Sequence, residues 1–597
     1  MSYKKADLYP CNPATARGQA TKLGSSGDKI VYTNGRTVVI RDLKTPAVAV
    51  TYSGHIQNTT IARISPSGYY CASADITGTV RVWDVVGEDQ SLKGEYKVIS
   101  GAVKDLEWDG ESKRIIAVGD GRDKFGHAFM MDTGSSTGEI IGHSKIINAV
   151  SIRHQRPFRA ATAADDATII FHQGAPYKYE KTIKTHTKFV QDVRYASTGD
   201  HFASVGSDAK IFIYDGKSGN TLAEVTDSPH SGTIMACSWS PDSKSIVTSS
   251  ADCTVKLWDV ESHKAITSWS LGSGVDNQQV GNAWTASDNI VSLSMSGTLN
   301  IFDKRVGDKP STKLFGPQKS VTAALTLPST SGTFLAGTAD GRVLSYSDSK
   351  YAPLEGSGHA ALIPGLASIS SGAVYSVGFD DSLREIEGGK SFVPAICSTA
   401  SQPKAVAVAG DSTVFIAEVN EVEAIRFNQK VSELKPKFSP SAVAATGSIV
   451  AVGGEDQKVH LFDWDGKSLT ESGTLEGNKG TVSAIAFSPD GALLASGDSS
   501  GKIVLYDVRE RKTITSRWSF HSARINSLAW TTDGQHCASG SLDTHVYVWS
   551  VQKPMRNIAI KNAGPGGVST VFWIDDGRLA SAGADACVRT WSISFPA

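Results

Sequence analysis

Histidine, hydroxyl and carboxylate side chains recur together along this chain, and a Ser-His-Asp hydrolase combines these same groups for nucleophilic catalysis. Two sets are complete and each includes a tryptophan: His230, Thr248, Asp252 and Trp258, and His521, Ser539, Asp543 and Trp549. Such groups can also hold loops together, because the aspartate accepts from the histidine while the hydroxyl extends the network to the indole N–H. Since both sets belong to a repeating unit described below, we interpret them as structural staples rather than catalytic triads.

Three Gly-Lys-Ser triplets raise the question of a nucleotide-binding loop. They begin at Gly216, Gly389 and Gly466. A P-loop needs another glycine five positions earlier and a following helix, but those earlier positions hold Ile211, Arg384 and Leu461. Metalloprotease and EF-hand motifs do not occur in the sequence. We therefore expect no enzymatic activity, no cofactor and no metal site.

The elements that position these residues are short strands in an internal repeat. Thr79–Asp84, Thr254–Asp259 and Lys502–Asp507 each alternate apolar and polar residues with a period of two, which is typical of β-strands. A shorter apolar strand and a turn come before each of them. No segment sustains a helical period of 3.6 residues, so we expect very little helix.

The last residue of this marker strand recurs fourteen times, at an average spacing of about 42 residues. The marks fall near Asp42, Asp84, Asp132, His172, Asp215, Asp259, Asp303, Asp348, Glu387, Asn428, Asp463, Asp507, Ser550 and Ser592. Those at Glu387 and Asn428 are degenerate and depend mainly on spacing.

Composition narrows the class of protein. The 597 residues are 40% hydrophobic and 20% charged, and 59 basic residues against 60 acidic ones give a formal net charge of -1. This balance disfavours nucleic acid and anionic membranes as partners. No apolar run approaches the roughly 18 residues that a membrane span needs. The seven scattered cysteines do not form a disulfide framework, so we expect a cytoplasmic protein.

The repeating unit resembles the WD40 repeat, each copy of which builds a four-stranded blade of a β-propeller. Because one propeller holds four to eight blades, fourteen units predict an all-β chain with two seven-bladed propellers, at residues 11–316 and 317–597. The last unit ends after its third strand. We expect residues 2–10 to supply the missing strand and so to close the second propeller.

Several segments are more particular, and with them the chain resembles the actin-interacting protein 1 family. These segments are Gly121–Phe129, Arg156–Arg159, Ala163–Asp166, Ala175–Tyr179, His186–Val190, Asp276–Gln279, Glu455–His460 and Trp518–Arg524. The resemblance implies a non-enzymatic protein that binds actin filaments with ADF/cofilin, promotes their severing and disassembly, and is associated with barbed-end capping. It also implies a monomer in the cytoplasm, at the cortical actin cytoskeleton, with no nucleic-acid or membrane partner.

The resemblance places the partner-binding residues on the N-terminal propeller, at Asp123, Asp165, Lys178, Tyr179 and Phe189. In the pair Asp165-Asp166, Asp166 takes the staple position and Asp165 is the functional candidate. Asp123, Asp165 and Phe189 come from three consecutive blades and should lie along one edge of one face, whereas Tyr179 begins an outer strand.

Alternative interpretations exist for the single residues and for the whole protein. Phe189 could pack between blades and Asp123 could cap its own loop. The whole protein could be a general cytoplasmic WD40 scaffold, used in ubiquitin ligation, trafficking or ribosome assembly. A propeller hydrolase would need a catalytic cluster in the central channel, and the sequence shows none.

Overall fold

A computed structural model describes residues 2–46, 48–87, 89–305, 307–347, 350–369 and 372–595. The described chain folds almost entirely into β-strands, arranged in thirteen four-stranded sheets and one three-stranded sheet. Alternation accounts for the strands: in Thr254–Asp259, Val255 and Leu257 are buried while Thr254 and Lys256 are half-buried. The expectation of an all-β chain with two seven-bladed WD40 propellers is confirmed.

After the first strand, β1 (Ser2–Tyr9), the next strands form seven consecutive blades. They are blade 1, β2 (Gly24–Ser26), β3 (Lys29–Asn34), β4 (Thr37–Asp42) and β5 (Ala49–Tyr52); blade 2, β6 (Thr59–Ile64), β7 (Tyr70–Asp75), β8 (Thr79–Asp84) and β9 (Leu92–Lys97); blade 3, β10 (Val103–Trp108), β11 (Arg114–Gly119) and β12 (Gly126–Met130); blade 4, β13 (Ile147–Ile152), β14 (Arg159–Ala164), β15 (Ile169–Gln173) and β16 (Lys178–Ile183); blade 5, β17 (Val190–Tyr195), β18 (His201–Gly206), β19 (Ile211–Asp215) and β20 (Thr221–Glu224); blade 6, β21 (Ile234–Trp239), β22 (Ser245–Ser250), β23 (Thr254–Asp259) and β24 (Ala265–Ser270); and blade 7, β25 (Gln279–Trp284), β26 (Ile290–Ser294), β27 (Leu299–Phe302) and β28 (Thr312–Leu314).

Seven further blades make the C-terminal propeller. They are blade 8, β29 (Val321–Thr326), β30 (Phe334–Thr338), β31 (Val343–Ser347) and β32 (Lys350–Pro353); blade 9, β33 (Gly365–Ser368), β34 (Val374–Gly378), β35 (Ser382–Glu387) and β36 (Ser391–Ser398); blade 10, β37 (Pro403–Val408), β38 (Val414–Glu418), β39 (Val422–Arg426) and β40 (Gln429–Leu434); blade 11, β41 (Pro440–Thr446), β42 (Ile449–Gly454), β43 (Val459–Trp464) and β44 (Leu469–Leu475); blade 12, β45 (Val482–Phe487), β46 (Leu493–Asp498), β47 (Ile503–Asp507) and β48 (Lys512–Trp518); blade 13, β49 (Ile525–Trp530), β50 (His536–Ser541), β51 (Val546–Ser550) and β52 (Asn557–Ile560); and blade 14, β53 (Val568–Asp575), β54 (Arg578–Gly583) and β55 (Val588–Ser594) with β1.

The two degenerate marks, at Glu387 and Asn428, thus belong to complete blades, 9 and 10. The mark at Asp348 lies outside the described residues.

The strand β1 completes blade 14, as expected from the sequence. It pairs antiparallel with β55, with Tyr3 opposite Ile593 and Lys5 opposite Trp591. At its end, the Tyr9 ring packs edge-on within 5.9 Å of three aromatic rings of blade 8: Phe334, Tyr346 and Tyr351. The chain divides into two compact units, Asn12–Gln318 and Met1–Cys11 with Lys319–Ala597. The chain therefore passes from one unit to the other twice.

Blade 3 differs from the other blades because its outer edge is irregular. Residues 135–137 run along β12, and the Met130 N–H donates to Ser135 O while the Thr137 N–H donates to Ala128 O, both at 2.9 Å. Gly134 and Gly138 flank this segment with φ of 70° and 137°, values that favour glycine and interrupt a regular strand. The segment hence covers the edge without forming a fourth strand.

The hydrophobic core lies between neighbouring blades. One cluster joins Ile61 and Val82 of blade 2 to Leu106 and Trp108 of blade 3. The seven cysteines are free thiols and six of them are buried, as small apolar side chains would be. The only helical element in the described residues is a single 3-10 turn, Val275–Asn277, and none there has the length and apolar character to cross a membrane.

Candidate protein-binding surface

The predicted staple residues form a buried hydrogen-bonded chain. In blade 13, Nδ1 of His521 lies 2.9 Å from the Asp543 carboxylate and Nε2 lies 2.8 Å from Ser539 Oγ. The indole N–H of Trp549 donates to the same hydroxyl at 2.8 Å. Ser539 is fully buried, so no substrate carbonyl can reach its oxygen. This arrangement can hold loops together but cannot perform acyl transfer.

The second predicted set, in blade 6, repeats this geometry. His230 lies 2.9 Å from Asp252 and 2.8 Å from Thr248 Oγ1, which accepts from the Trp258 indole at 2.9 Å.

The staple of blade 13 also keeps its carboxylate ionised. Burial opposes ionisation of Asp543, but hydrogen bonds from His521 and two backbone N–H groups lower the pKa of Asp543 to about 2.

The candidate residues fall on two different faces of the N-terminal propeller. Because the strands of a blade alternate in direction, the loop entering the first strand and the turn between the second and third strands share one end. We call this end the upper face. Asp123, Asp165 and Phe189 lie on the upper face, in the loops and turns of blades 3, 4 and 5.

The two neighbouring carboxylates of blade 4 have different partners. Asp166 Oδ2 lies 3.0 Å from His143 Nδ1 and accepts the Ser144 N–H at 3.0 Å, so it belongs to the staple. The half-buried Asp165 accepts only one hydrogen bond, from Asn148 Nδ2 to its Oδ1 at 2.7 Å. Its second carboxylate oxygen has no partner among the described residues and can bind a protein donor.

Phe189 points its ring into solvent. The side chain is 47% exposed, whereas its backbone is held because its carbonyl accepts the Ser207 N–H at 2.8 Å. Its ring therefore does not pack between blades. The ammonium of Lys145 lies 5.8 Å from the ring centroid, within the range of a cation–π contact. Asp165 and Phe189 together border a cavity of about 380 Å³ and a wider depression of about 700 Å³.

Asp123 lies at the exposed tip of the turn in blade 3. This turn is held by the Arg122 N–H, which donates to Ser100 Oγ at 2.9 Å. The Asp123 carboxylate itself makes no hydrogen bond within the described part of the chain, so it does not cap its own loop. A solvated acidic group at this position is available to a partner.

Lys178 and Tyr179 lie at the opposite end of blade 4. On β16, Ile183 pairs with Ile169 near the upper face, whereas Tyr179 pairs with His172 and Lys178 with Gln173. Four residues of strand separate Tyr179 from the upper end, or about 13 Å. Both side chains are exposed. The structure thus does not bring them together with Asp165 and Phe189.

The lining of the cavity of about 380 Å³ includes Lys104 of β10 and Asn148 of β13, which were not singled out from the sequence. Asn148 joins blades, because its amide donates to Asp165 and also to Val190 O at 3.1 Å. A polar residue second in the first strand of several blades was the only signal in the sequence.

Comparison with known proteins identifies the family to which this chain belongs. The WD domain, G-beta repeat family matches residues 48–84, 177–215 and 222–259, and the Vps8 beta-propeller family matches residues 428–572. "Actin-interacting protein 1" of Drosophila melanogaster is 37% identical over 602 residues, which cover 99% of this chain and 98% of the relative. The chain belongs to the actin-interacting protein 1 family.

Other relatives in this family match over the same length. The "66 kDa stress protein" of Physarum polycephalum is 37% identical over 99% of this chain and 100% of its own. "WD repeat-containing protein 1" of Xenopus tropicalis is 36% identical over 100% of both chains. The resemblance to the actin-interacting protein 1 family is therefore confirmed across both propellers.

Proposed function

We propose that this protein binds actin filaments decorated with ADF/cofilin and promotes their severing and disassembly, in association with capping of barbed ends. Support comes first from the relatives, since one that matches nearly the whole chain carries the name "Actin-interacting protein 1". We propose further that this protein acts as a monomer in the cytoplasm, at cortical actin, and that its partners are proteins rather than nucleic acid or membranes.

The observation that carries the proposal is the upper face of the N-terminal propeller. There an exposed phenyl ring lies beside a carboxylate with a free oxygen, at the mouth of a cavity. Aromatic anchors beside charged groups are typical of binding hot spots. Asp123 extends this surface onto blade 3. Lys178 and Tyr179 lie on the other face, so we propose that they contact a different part of the filament.

The proposed mechanism needs no catalysis by this chain. The protein can shift the equilibrium between the intact and the severed or twisted filament by no more than the difference between its binding free energies for these states. The buried staple hydroxyls agree with a binding role, because they are closed to substrate.

Co-sedimentation with cofilin-decorated filaments tests the proposal. Phe189→Ala should weaken binding about thirtyfold, as expected for loss of a hot spot worth about 2 kcal/mol. Phe427→Ala is the matched control, because Phe427 is 85% exposed in a hairpin turn of blade 10. Charge reversal at Asp165 should abolish disassembly with no fall in the thermal midpoint. Equal binding by both alanine variants would overturn the assignment of this face.

A further inference from the structure

The two propellers place a lysine at the same position of equivalent blades. Lys104 is the second residue of β10 in blade 3, and Lys404 is the second residue of β37 in blade 10. In each case the next blade carries a carboxylate directly after its second strand, Asp165 after β14 and Glu455 after β42. The two propellers thus contain the same potential ion pair.

In the C-terminal propeller this pair is formed. Lys404 Nζ lies 3.2 Å from Glu455 Oε1 and also donates to Pro440 O at 3.0 Å. The lysine charge is neutralised within the chain. Ser441, the second residue of the next first strand, donates to Val482 O at 2.6 Å and leaves Glu455 to the lysine.

In the N-terminal propeller the same pair is open. Asn148 stands where blade 11 has Ser441, and its longer side chain donates to Asp165 at 2.7 Å. The Lys104 side chain makes no ion pair or hydrogen bond with any described residue. The other polar side chains at this position have partners: Thr60 donates to Ala74 O, and Gln191 donates to Ser207 Oγ.

The half-buried Lys104 therefore presents an unpaired ammonium to the cavity of about 380 Å³ that Asp165 and Phe189 border. A cation in such partly dehydrated surroundings attracts a carboxylate more strongly than one on open surface. Lys22 also lines this cavity but is paired with Asp192, so the wall offers one unpaired cation, one carboxylate oxygen and one aromatic ring within a single opening. This set is complementary to a protein segment with an acidic side chain beside an apolar one.

We infer that Lys104 is a further partner-contact residue, which receives a carboxylate of the bound protein at the floor of the upper face. The inference rests on the proposed function, since it names a specificity determinant of the same surface. Asp165 then takes a donor from the partner, and Phe189 covers the ion pair from water.

Co-sedimentation with cofilin-decorated filaments at low and physiological salt tests this role. Lys104→Met should weaken binding about tenfold at low salt and reduce its salt dependence, because one ion pair is lost. Lys244→Met is the control with the same charge change, since Lys244 is exposed in the turn between the first two strands of blade 6, at the opposite end from the upper face. Asp165→Glu keeps the charge and lengthens the side chain by one methylene, so that it matches Glu455, which pairs with Lys404. It should therefore close the pair and weaken binding several-fold.

The outcomes separate the inference from the proposed function. If the unmodified protein pellets with decorated filaments and Lys104→Met binds equally well with the same salt dependence, the inference is overturned and the function stands. If the unmodified protein does not bind decorated filaments, both are overturned. Thermal midpoints equal to that of the unmodified protein exclude misfolding as the cause of any loss.

Discussion

The two propellers carry different side chains on the strands nearest their central axes. In the N-terminal propeller, buried Asp105 pairs with Arg194 at 2.8 Å and with Arg63 at 3.3 Å. Arg194 continues to Asp192 at 3.0 Å, and Asp192 holds the buried Lys22 at 2.7 Å. Burial would raise the pKa of Asp105, but the two guanidinium groups hold it below its usual value.

In the C-terminal propeller, alanines stand at the positions equivalent to Asp105, Asp192 and Arg194, namely Ala405, Ala484 and Ala486. Neutral hydroxyl groups on the second residue of the first strand join neighbouring blades there. Thr322 donates to Ile363 O at 2.7 Å, and Ser441 and Ser483 donate to carbonyls of the next blade at 2.6 Å. One blade geometry thus accommodates either a coupled ionic network at these positions or alanines with only independent neutral bonds beside them. Removing one member should therefore cost far more in the first propeller than in the second.

The largest expected effect concerns the strand that the C-terminal propeller takes from the N-terminus. Deleting residues 2–10 removes β1 and the Tyr9 ring, which packs on Phe334, Tyr346 and Tyr351. The loss should be on the order of 5 kcal/mol, because the deletion removes the buried Leu8, whose loss alone costs about 2–5 kcal/mol, together with the Tyr9 contacts. Hydrogen exchange should show lost protection in residues 319–595 and little change in 12–318. Equal loss in both units would contradict the closure of blade 14 by β1.

Next in size is the ionic axis. Asp105→Ala leaves Arg194 buried without one of its carboxylates, and it should lower the unfolding free energy by about 3–5 kcal/mol. Ser483→Ala removes one hydroxyl from the C-terminal axis and should cost about 1 kcal/mol. Urea unfolding of both variants measures the difference. Similar losses in the two variants would show that the two axes do not differ in energy.

The propellers should also differ in their response to pH. In blade 10, Glu418 accepts from the Ser401 N–H at 2.6 Å and from its hydroxyl at 2.8 Å. Burial, with the neighbouring Glu423, raises the pKa of Glu418 to about 8. A raised carboxyl pKa stabilises the fold below the unfolded value of about 4.3, and this stability is lost as pH rises toward 8.

In blade 5 of the N-terminal propeller, burial opposes ionisation of Asp208, but hydrogen bonds from His186 and the Thr187 N–H lower the pKa of Asp208 to about 2. Its contribution is therefore constant from pH 5 to 8 and is lost only toward pH 2.

Glu418→Gln tests this difference, because glutamine has the shape of the protonated acid and does not titrate. At pH 8 the variant should raise the midpoint of the C-terminal transition by about 2–4 °C, which corresponds to about 1 kcal/mol. At pH 4, where the carboxyl of the parent is protonated in the folded protein and largely protonated in the unfolded chain, the variant and the parent should melt together. A variant that destabilises the protein at both values would show that Glu418 is ionised in the folded state.

The smallest effect concerns the surface pair that only the C-terminal propeller closes. A double-mutant cycle of Lys404→Met and Glu455→Gln should give a coupling of about 0.2–1 kcal/mol, as for other exposed pairs. Neither change should alter filament binding, because this pair is satisfied within the chain. Loss of binding in either variant would place a partner contact on the second propeller.

The repeat and the blades were predictable because their signals are local. Alternation and turn residues recur in each unit, so the two blades whose third strands end near Glu387 and Asn428 could be located mainly by spacing. The outer edge of blade 3 was less predictable, since a run of small polar residues with Gly134 and Gly138 replaces the strand pattern.

The candidate site was predictable only in part. Asp165 and Phe189 follow from positions in turns that face the same way. Tyr179 lies close to them in sequence, but strand direction carries it to the other face. The open state of Lys104 depends on the length of the Asn148 side chain in the next blade. No local pattern encodes such a contact between blades.

Binding to cofilin-decorated actin filaments, measured by co-sedimentation against bare filaments, tests the central claim most directly. We expect the unmodified protein to pellet strongly with decorated filaments and much less with bare ones, and charge reversal at Asp165 to remove the difference. Binding that is the same with and without cofilin, or unchanged by reversal at Asp165, would contradict it.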